Sequence, residues 1–252
     1  MHQATAFYGD HGVKRTFLDR IAEARQYNLL RQGQPQVSDM PLEAGEPGCA
    51  ITITVGSYSP WHYATELGVP IWVPIMHEFL FEHVTPDLSG EVAELFLQSI
   101  PPGLTEDAFN RIFCRFMAAQ LVDPTHGLSM FGPFTAQAHG AIKNIGALFL
   151  RGMSGQRIDA IEWQEMLTLV GQCPAPPESA ACNAMSALAS IVKAGLSRNA
   201  ADTGVALHML LDLHPGEKAR RGQAMWMAQT LTGLFAKGEK ATVASNRRLE
   251  PA

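Results

Sequence analysis

Residues 49–84, CAITITVGSYSPWHYATELGVPIWVPIMHEFLFEHV, hold the one run of strict period-two alternation in the chain, together with two tryptophans and three histidines. Ile51, Ile53 and Val55 alternate with Thr52 and Thr54, and Gly56–Pro60 follows as a stop, so the pattern predicts a half-buried strand over about 50–55. A single strand leaves a row of backbone donors and acceptors unpaired. Its pairing candidates are the short runs Thr5–Tyr8 and Ala241–Ala244, or else a second copy of the chain. After the strand, Trp61–Leu67 reads as a short helical turn and Gly68-Val69-Pro70 resets the direction. A helix then starts around Pro74, because a first-turn proline loses no hydrogen bond, and runs to Val84.

Upstream, Gly9-Asp10-His11-Gly12 breaks the chain before a helix over about 13–32, whose apolar face carries Phe17, Leu18, Ile21 and Ala24. Gln34–Gly48, with three prolines and three acidic residues, has the composition of an exposed connection. Downstream, a helix over 88–100 is closed by Pro101-Pro102-Gly103. Thr105 is the next N-cap, with Glu106 and Asp107 in the first turn and Leu104 and Phe109 placed as a hydrophobic staple. The run 134–150 is apolar almost all round and predicts a buried central helix. Further helices fall at about 159–170, 178–194, 199–213 and 217–236, followed by a polar, frayed tail at 237–252.

These elements predict an all-α fold: a single globular multi-helix bundle of about eight helices with a minor β element near residues 50–55. The whole chain, 1–252, reads as one helical domain. The alternative is a C-terminal helical subdomain from about residue 178, after the proline-rich break at 173–177.

With 46% hydrophobic and 17% charged residues, the composition is that of a packed globule. A formal charge of -5 and a pI near 6.0 argue against a chain built to grip nucleic acid or an anionic membrane. Four cysteines without a C-x-x-C pair read as reduced thiols. The N-terminus lacks a secretory pattern, and no apolar run reaches the roughly 18 to 20 residues of a membrane helix. A soluble, cytoplasmic chain with no nucleic-acid partner, no membrane and no cofactor is the expectation.

Two His-x5-His runs, His77 to His83 and His208 to His214, suggest metal spacing. A helix turns about 100° per residue, so residues six apart do not share a face. The i,i+4 pairs do: Glu78 with Glu82, and His208 with Asp212. Brought together across a bundle, Glu78, Glu82, His208 and Asp212 are the candidate ligands for a hard or borderline metal. The candidate catalytic groups are His62, His77, Glu82, His208 and Asp212. The serines of GSYSP at 56–60 and GLSMFG at 127–132 both miss the G-x-S-x-G spacing of a hydrolase elbow. Trp61, Tyr63 and Trp72, stiffened by neighbouring prolines, either seal a core edge or anchor an interface.

The function this favours is a non-catalytic helical protein that binds a protein partner, as an accessory, regulatory or immunity-type factor, with self-association through the strand as a variant. The competing reading is a metal-dependent or small-molecule enzyme with its site between the helices carrying His77/Glu78/Glu82 and His208/Asp212.

Overall fold

Eleven α-helices and no β-strand occur among the residues described by the computed structural model, which are 4–34, 41–43, 45–132, 134–174 and 179–246. They are α1 (His11–Gln26), α2 (Ala50–Val55), α3 (Pro60–Leu67), α4 (Trp72–His83), α5 (Pro86–Ser99), α6 (Glu106–Val122), α7 (Ala136–Met153), α8 (Ala160–Gln172), α9 (Ser179–Ser197), α10 (Ala200–Asp212) and α11 (Glu217–Asn246). The all-α class stands, with more helices than the sequence pattern resolves.

The expected strand is α2, and the correction has a local cause. Alternation implies a strand only if the threonines face water, and Thr54 is fully buried. Its hydroxyl donates to the Ala50 carbonyl one turn back at 2.7 Å, which satisfies it inside a helix. Six residues are far too few for a helix to persist alone. Neighbours hold both ends. Glu78 Oε2 accepts from the Ile51 N–H at 3.3 Å, and Arg20 Nη1 donates to the Thr54 carbonyl at 2.9 Å. A carboxylate at the N-terminus and a guanidinium at the C-terminus are the signs that complement a helix dipole. Gly56, at φ 83, then ends the helix in the left-handed conformation that glycine adopts without steric cost. Of the proposed strand partners, Thr5 bridges Thr105 instead, and 241–244 belong to α11. The β content of the described residues is three isolated bridges.

The chain falls into two compact units, residues 1–109 with 224–252, and residues 110–223.

The first unit has an aromatic core. Trp72 stacks on Phe235 at 6.2 Å, Phe109 meets both edge-on at 6.0 Å, and Phe96 joins Phe235 at 5.7 Å and lies parallel to the His77 ring at 4.6 Å. The Thr105 cap forms as read, its hydroxyl accepting from the Ala108 N–H at 3.4 Å.

In the second unit, α9 packs against α8 and α10, and small residues set how close the helices come. A Cβ on Gly195 would sit 2.7 Å from the Trp163 ring, and one on Gly152 would sit 2.6 Å from Cys114 Sγ. The start of α8 is a capping box between Asp159 and Glu162. Helix α7 is amphipathic rather than buried all round: Ala138, Ala141, Ile142, Ile145 and Phe149 face inward, while Lys143, Asn144 and Leu150 are exposed. Helix α11 continues to Asn246, into the segment expected to fray, and 247–252 lie outside the described residues. No helix among the described residues is long and apolar enough to cross a membrane.

Close packing at Gly195 has a measurable consequence. Gly195→Ala forces a methyl into the Trp163 ring and is expected to cost about 1–3 kcal/mol in urea unfolding. Gly171→Ala, on α8 with no atom within 4 Å of the new Cβ, is expected to be neutral or stabilising by up to about 1 kcal/mol.

Candidate interaction surface

Helix α4 carries three of the six candidate catalytic and metal-ligating residues, His77, Glu78 and Glu82, and packing commits them to the fold. His77 is fully buried. Its Nε2 lies 3.0 Å from the Ala93 carbonyl, which can only accept, so Nε2 bears the proton. Nδ1 therefore accepts from the Tyr63 hydroxyl at 2.9 Å. Both ring nitrogens are used, and burial pulls the imidazole pKa down from 6.5 to about 3. The side chain is neutral at physiological pH, with no lone pair left for a metal.

One residue on, Glu78 is also buried and reaches the start of α2. Around it, protons are held tightly. Burial first, and then the nearby Glu78 charge, push the Cys49 thiol up to about 12 and raise the Tyr58 hydroxyl. The Tyr63 hydroxyl is raised by the same two causes in the same order. Cys49 Sγ lies 3.2 Å from the Thr52 hydroxyl. This is a set of neutral donors around one acid, and a thiol in that state is not a nucleophile.

Glu82, one turn after Glu78, accepts from the Gly33 N–H at 2.8 Å. Burial raises its pKa, opposed by that hydrogen bond and by His83. Gln32 Nε2 donates to the carbonyls of Phe81 and Val84 at 2.5 and 3.0 Å, so the residues after α1 are fastened along the end of α4.

The other candidates are at the surface. His62 is exposed in the first turn of α3, where its backbone N–H donates to the Ser59 hydroxyl at 3.2 Å. His208 and Asp212 are exposed on α10 in the second unit, and Asp212 lies 3.6 Å from Arg220 in a solvated ion pair worth little. Among the described residues, no three His, Cys, Asp or Glu side chains gather as metal ligands would.

Sequence gives no sign of a second polar group, in the second unit. His126 Nδ1 donates to Gln223 Oε1 at 3.0 Å, and Gln223 Nε2 returns a bond to the His126 carbonyl at 3.1 Å. The His214 ring meets Phe131 edge-on at 4.9 Å, and burial, followed by the proximity of His126, lowers its pKa. A cleft of about 680 Å³ in the first unit is lined by residues of both signs, including Arg25, Arg31, Asp87 and Glu91.

Of the three aromatics read as sealing a core edge or anchoring an interface, Tyr63 and Trp72 are core residues, exposed by 0% and 1%, and Trp61 alone stands outside at 71%. Sequence did not reveal its companion. Phe7 and Tyr8 lie in the left-handed region at φ 51 and 53, ahead of Gly9 at φ 75. That conformation costs an L residue roughly 1–2 kcal/mol. It is sustained by tight anchoring. Ala6 donates to Leu104 at 3.0 Å and accepts from Gly103 at 2.8 Å, while the Phe7 ring is fully buried. The turn thus drives Phe7 inward and leaves Tyr8 outside, 62% exposed. The Tyr8 hydroxyl donates to the Thr65 carbonyl of α3. Gly68, at φ 63, allows this approach, because a Cβ there would lie 2.4 Å from the Thr5 carbonyl oxygen. Trp61 and Thr65, four residues apart, share the outer face of α3, whose inner face buries Tyr63, Ala64 and Leu67.

No family model, curated protein or solved structure matches the chain. The geometry offers a pair of surface aromatics beside an interior in which α4 is committed to structure.

The state of His77 sets a pH dependence. Its folded pKa, about 3, lies below the ordinary 6.5. Between these values the unfolded chain binds the proton and the folded chain does not, so stability falls as pH drops, by about 1.4 kcal/mol per unit. Comparison with His77→Gln isolates this contribution. In urea unfolding, the stability advantage of the native chain over the variant should shrink by that slope from pH 6.5 to 4.5, whereas a constant difference would contradict the assignment.

Proposed function

We propose that this chain works by binding a protein partner through the outer face of α3, with Trp61 and Tyr8 as the anchors. The observation that carries the reading is Trp61, a tryptophan 71% exposed on a helix whose other face is locked into the core. Tryptophan and tyrosine dominate the energetics of protein interfaces, since each brings a large contact area with few torsions to freeze. A pre-ordered anchor also loses little entropy on binding. Tyr8 fits this description, because a left-handed turn and its bond to Thr65 fix it in place. The accessory, regulatory or immunity-type role expected from the sequence is compatible with such a face, and a second copy of the chain is one form the partner can take.

Affinity capture tests this. Trp61→Ala should leave thermal stability within about 0.5 kcal/mol, as for other exposed substitutions. It should weaken a partner retained by the native chain by at least about 2 kcal/mol. Ile161→Ala, at an equally exposed apolar residue of the second unit (72%), should retain that partner. Sedimentation of the purified chain with and without the Trp61 substitution covers self-association in the same way. If Trp61→Ala and Ile161→Ala captured the same proteins as the native chain and sedimented alike, the face would not be the binding surface.

A further inference from the structure

The carboxylates bordering the Trp61–Tyr8 face indicate what the face would take. Glu66 is exposed on α3 immediately after Thr65, to which Tyr8 is bonded. Asp10 is exposed two residues after Tyr8, and one of its oxygens caps the Gly12 N–H at 2.6 Å. On the facing segment, Thr105 bridges Thr5, and a Cβ on Gly103 would lie 3.8 Å from Gly9 Cα. The exposed Glu106 and Asp107 follow directly. Four exposed carboxylates thus stand on the segments that carry the two aromatics or bridge to them. Of the cations in the adjoining turn, Lys14 is committed elsewhere, its Nζ donating to the carbonyls of Gln98 and Ile100 at 2.7 and 2.8 Å and lying over the Phe7 ring, while Arg15 is exposed, 3.9 Å from Asp19.

We propose that the face formed by Trp61 and Tyr8 and bordered by Glu66, Asp10, Glu106 and Asp107 binds a lysine- or arginine-rich segment of a partner protein. The inference rests on the reading of this face as the binding surface and adds the chemistry of its occupant. Ammonium and guanidinium groups are attracted to the faces of indole and phenol rings. Carboxylates around those rings add Coulombic attraction, orient the approaching segment and reject acidic ones. A neutral apolar segment would gain nothing from the carboxylates and would have to strip water from them.

A fluorescein-labelled deca-lysine peptide is the probe, with deca-glutamate and a glycine–serine peptide of equal length as references, read by anisotropy on the full chain. Deca-lysine should bind, weaken as salt rises through physiological strength, and lose at least about tenfold in affinity with either Trp61→Ala or Glu66→Lys. Glu165→Lys, an equal charge change on exposed α8 in the second unit, should alter it by less than about twofold, since it changes the net charge and leaves the face intact. The proposal is overturned if deca-lysine binds no better than deca-glutamate. It is overturned equally if Glu165→Lys weakens binding as much as Glu66→Lys, since the probe would then sense net charge alone. Trp61-dependent capture of a partner alongside failed deca-lysine binding would reject the basic occupant and keep the face. Loss of Trp61 dependence in both experiments would reject the face as well.

Discussion

The buried carboxylate of Glu78 on the Ile51 amide is the contact on which the first unit depends. Without it, α2 is a six-residue helix with no side-chain cap at Cys49, too short to hold itself together. With Glu78 at one end and Arg20 at the other, α2 is fixed to α4 and α1 together. Glu82 and Gln32 continue the same fastening toward the end of α4, and His77 ties α4 to Tyr63 of α3 and Ala93 of α5. Three successive polar positions on α4 therefore join it to most of the elements around it. Any acid buried this deeply is costly unless bonded, so its presence marks a position where the fold relies on it.

That arrangement explains why the residues most suggestive of chemistry are not where function is proposed. His77, Glu78 and Glu82 look like ligands because ionisable groups on an apolar helix are unusual. In this chain they serve as internal hydrogen-bonding groups, and the neighbouring thiol and phenols retain their protons. The same rigidity backs the surface. Tyr63, bonded to His77, holds the inner face of α3 in place, and the outer face of that helix presents Trp61. Helix α4 thus supports the helix that carries the proposed face.

Much of the fold was legible because helix boundaries are local. Thr105 caps as its side chain dictates, α8 and α10 begin within a residue of the expected 159 and 199, and α1 buries the Phe17, Ile21 and Ala24 stripe. What failed was tertiary. Alternation at 50–55 reports burial only when one side faces water, and α2 has no such side, with its threonine hydroxyl satisfied inside the helix. The site was less legible. Trp61 was visible as an aromatic, but nothing local separates it from Tyr63 and Trp72, because exposure is decided by what packs on α3 and α4. Tyr8 gave no signal at all, since neither Phe nor Tyr favours the left-handed region and the cause is the distant pairing of Ala6 with Gly103 and Leu104. His126 and Gln223 are 97 residues apart, and only the folded chain brings them together.

The central claim is that the polar face of α4 is structural, and His77 tests it most directly. Long-range proton–nitrogen correlation of the imidazole across a pH series reports tautomer and charge together. The account predicts a neutral ring protonated on Nε2, with shifts unchanged from pH 8 down to about 4, as a pKa near 3 requires. A ring that takes up a proton near pH 6.5, or one protonated on Nδ1 at neutral pH, would contradict it.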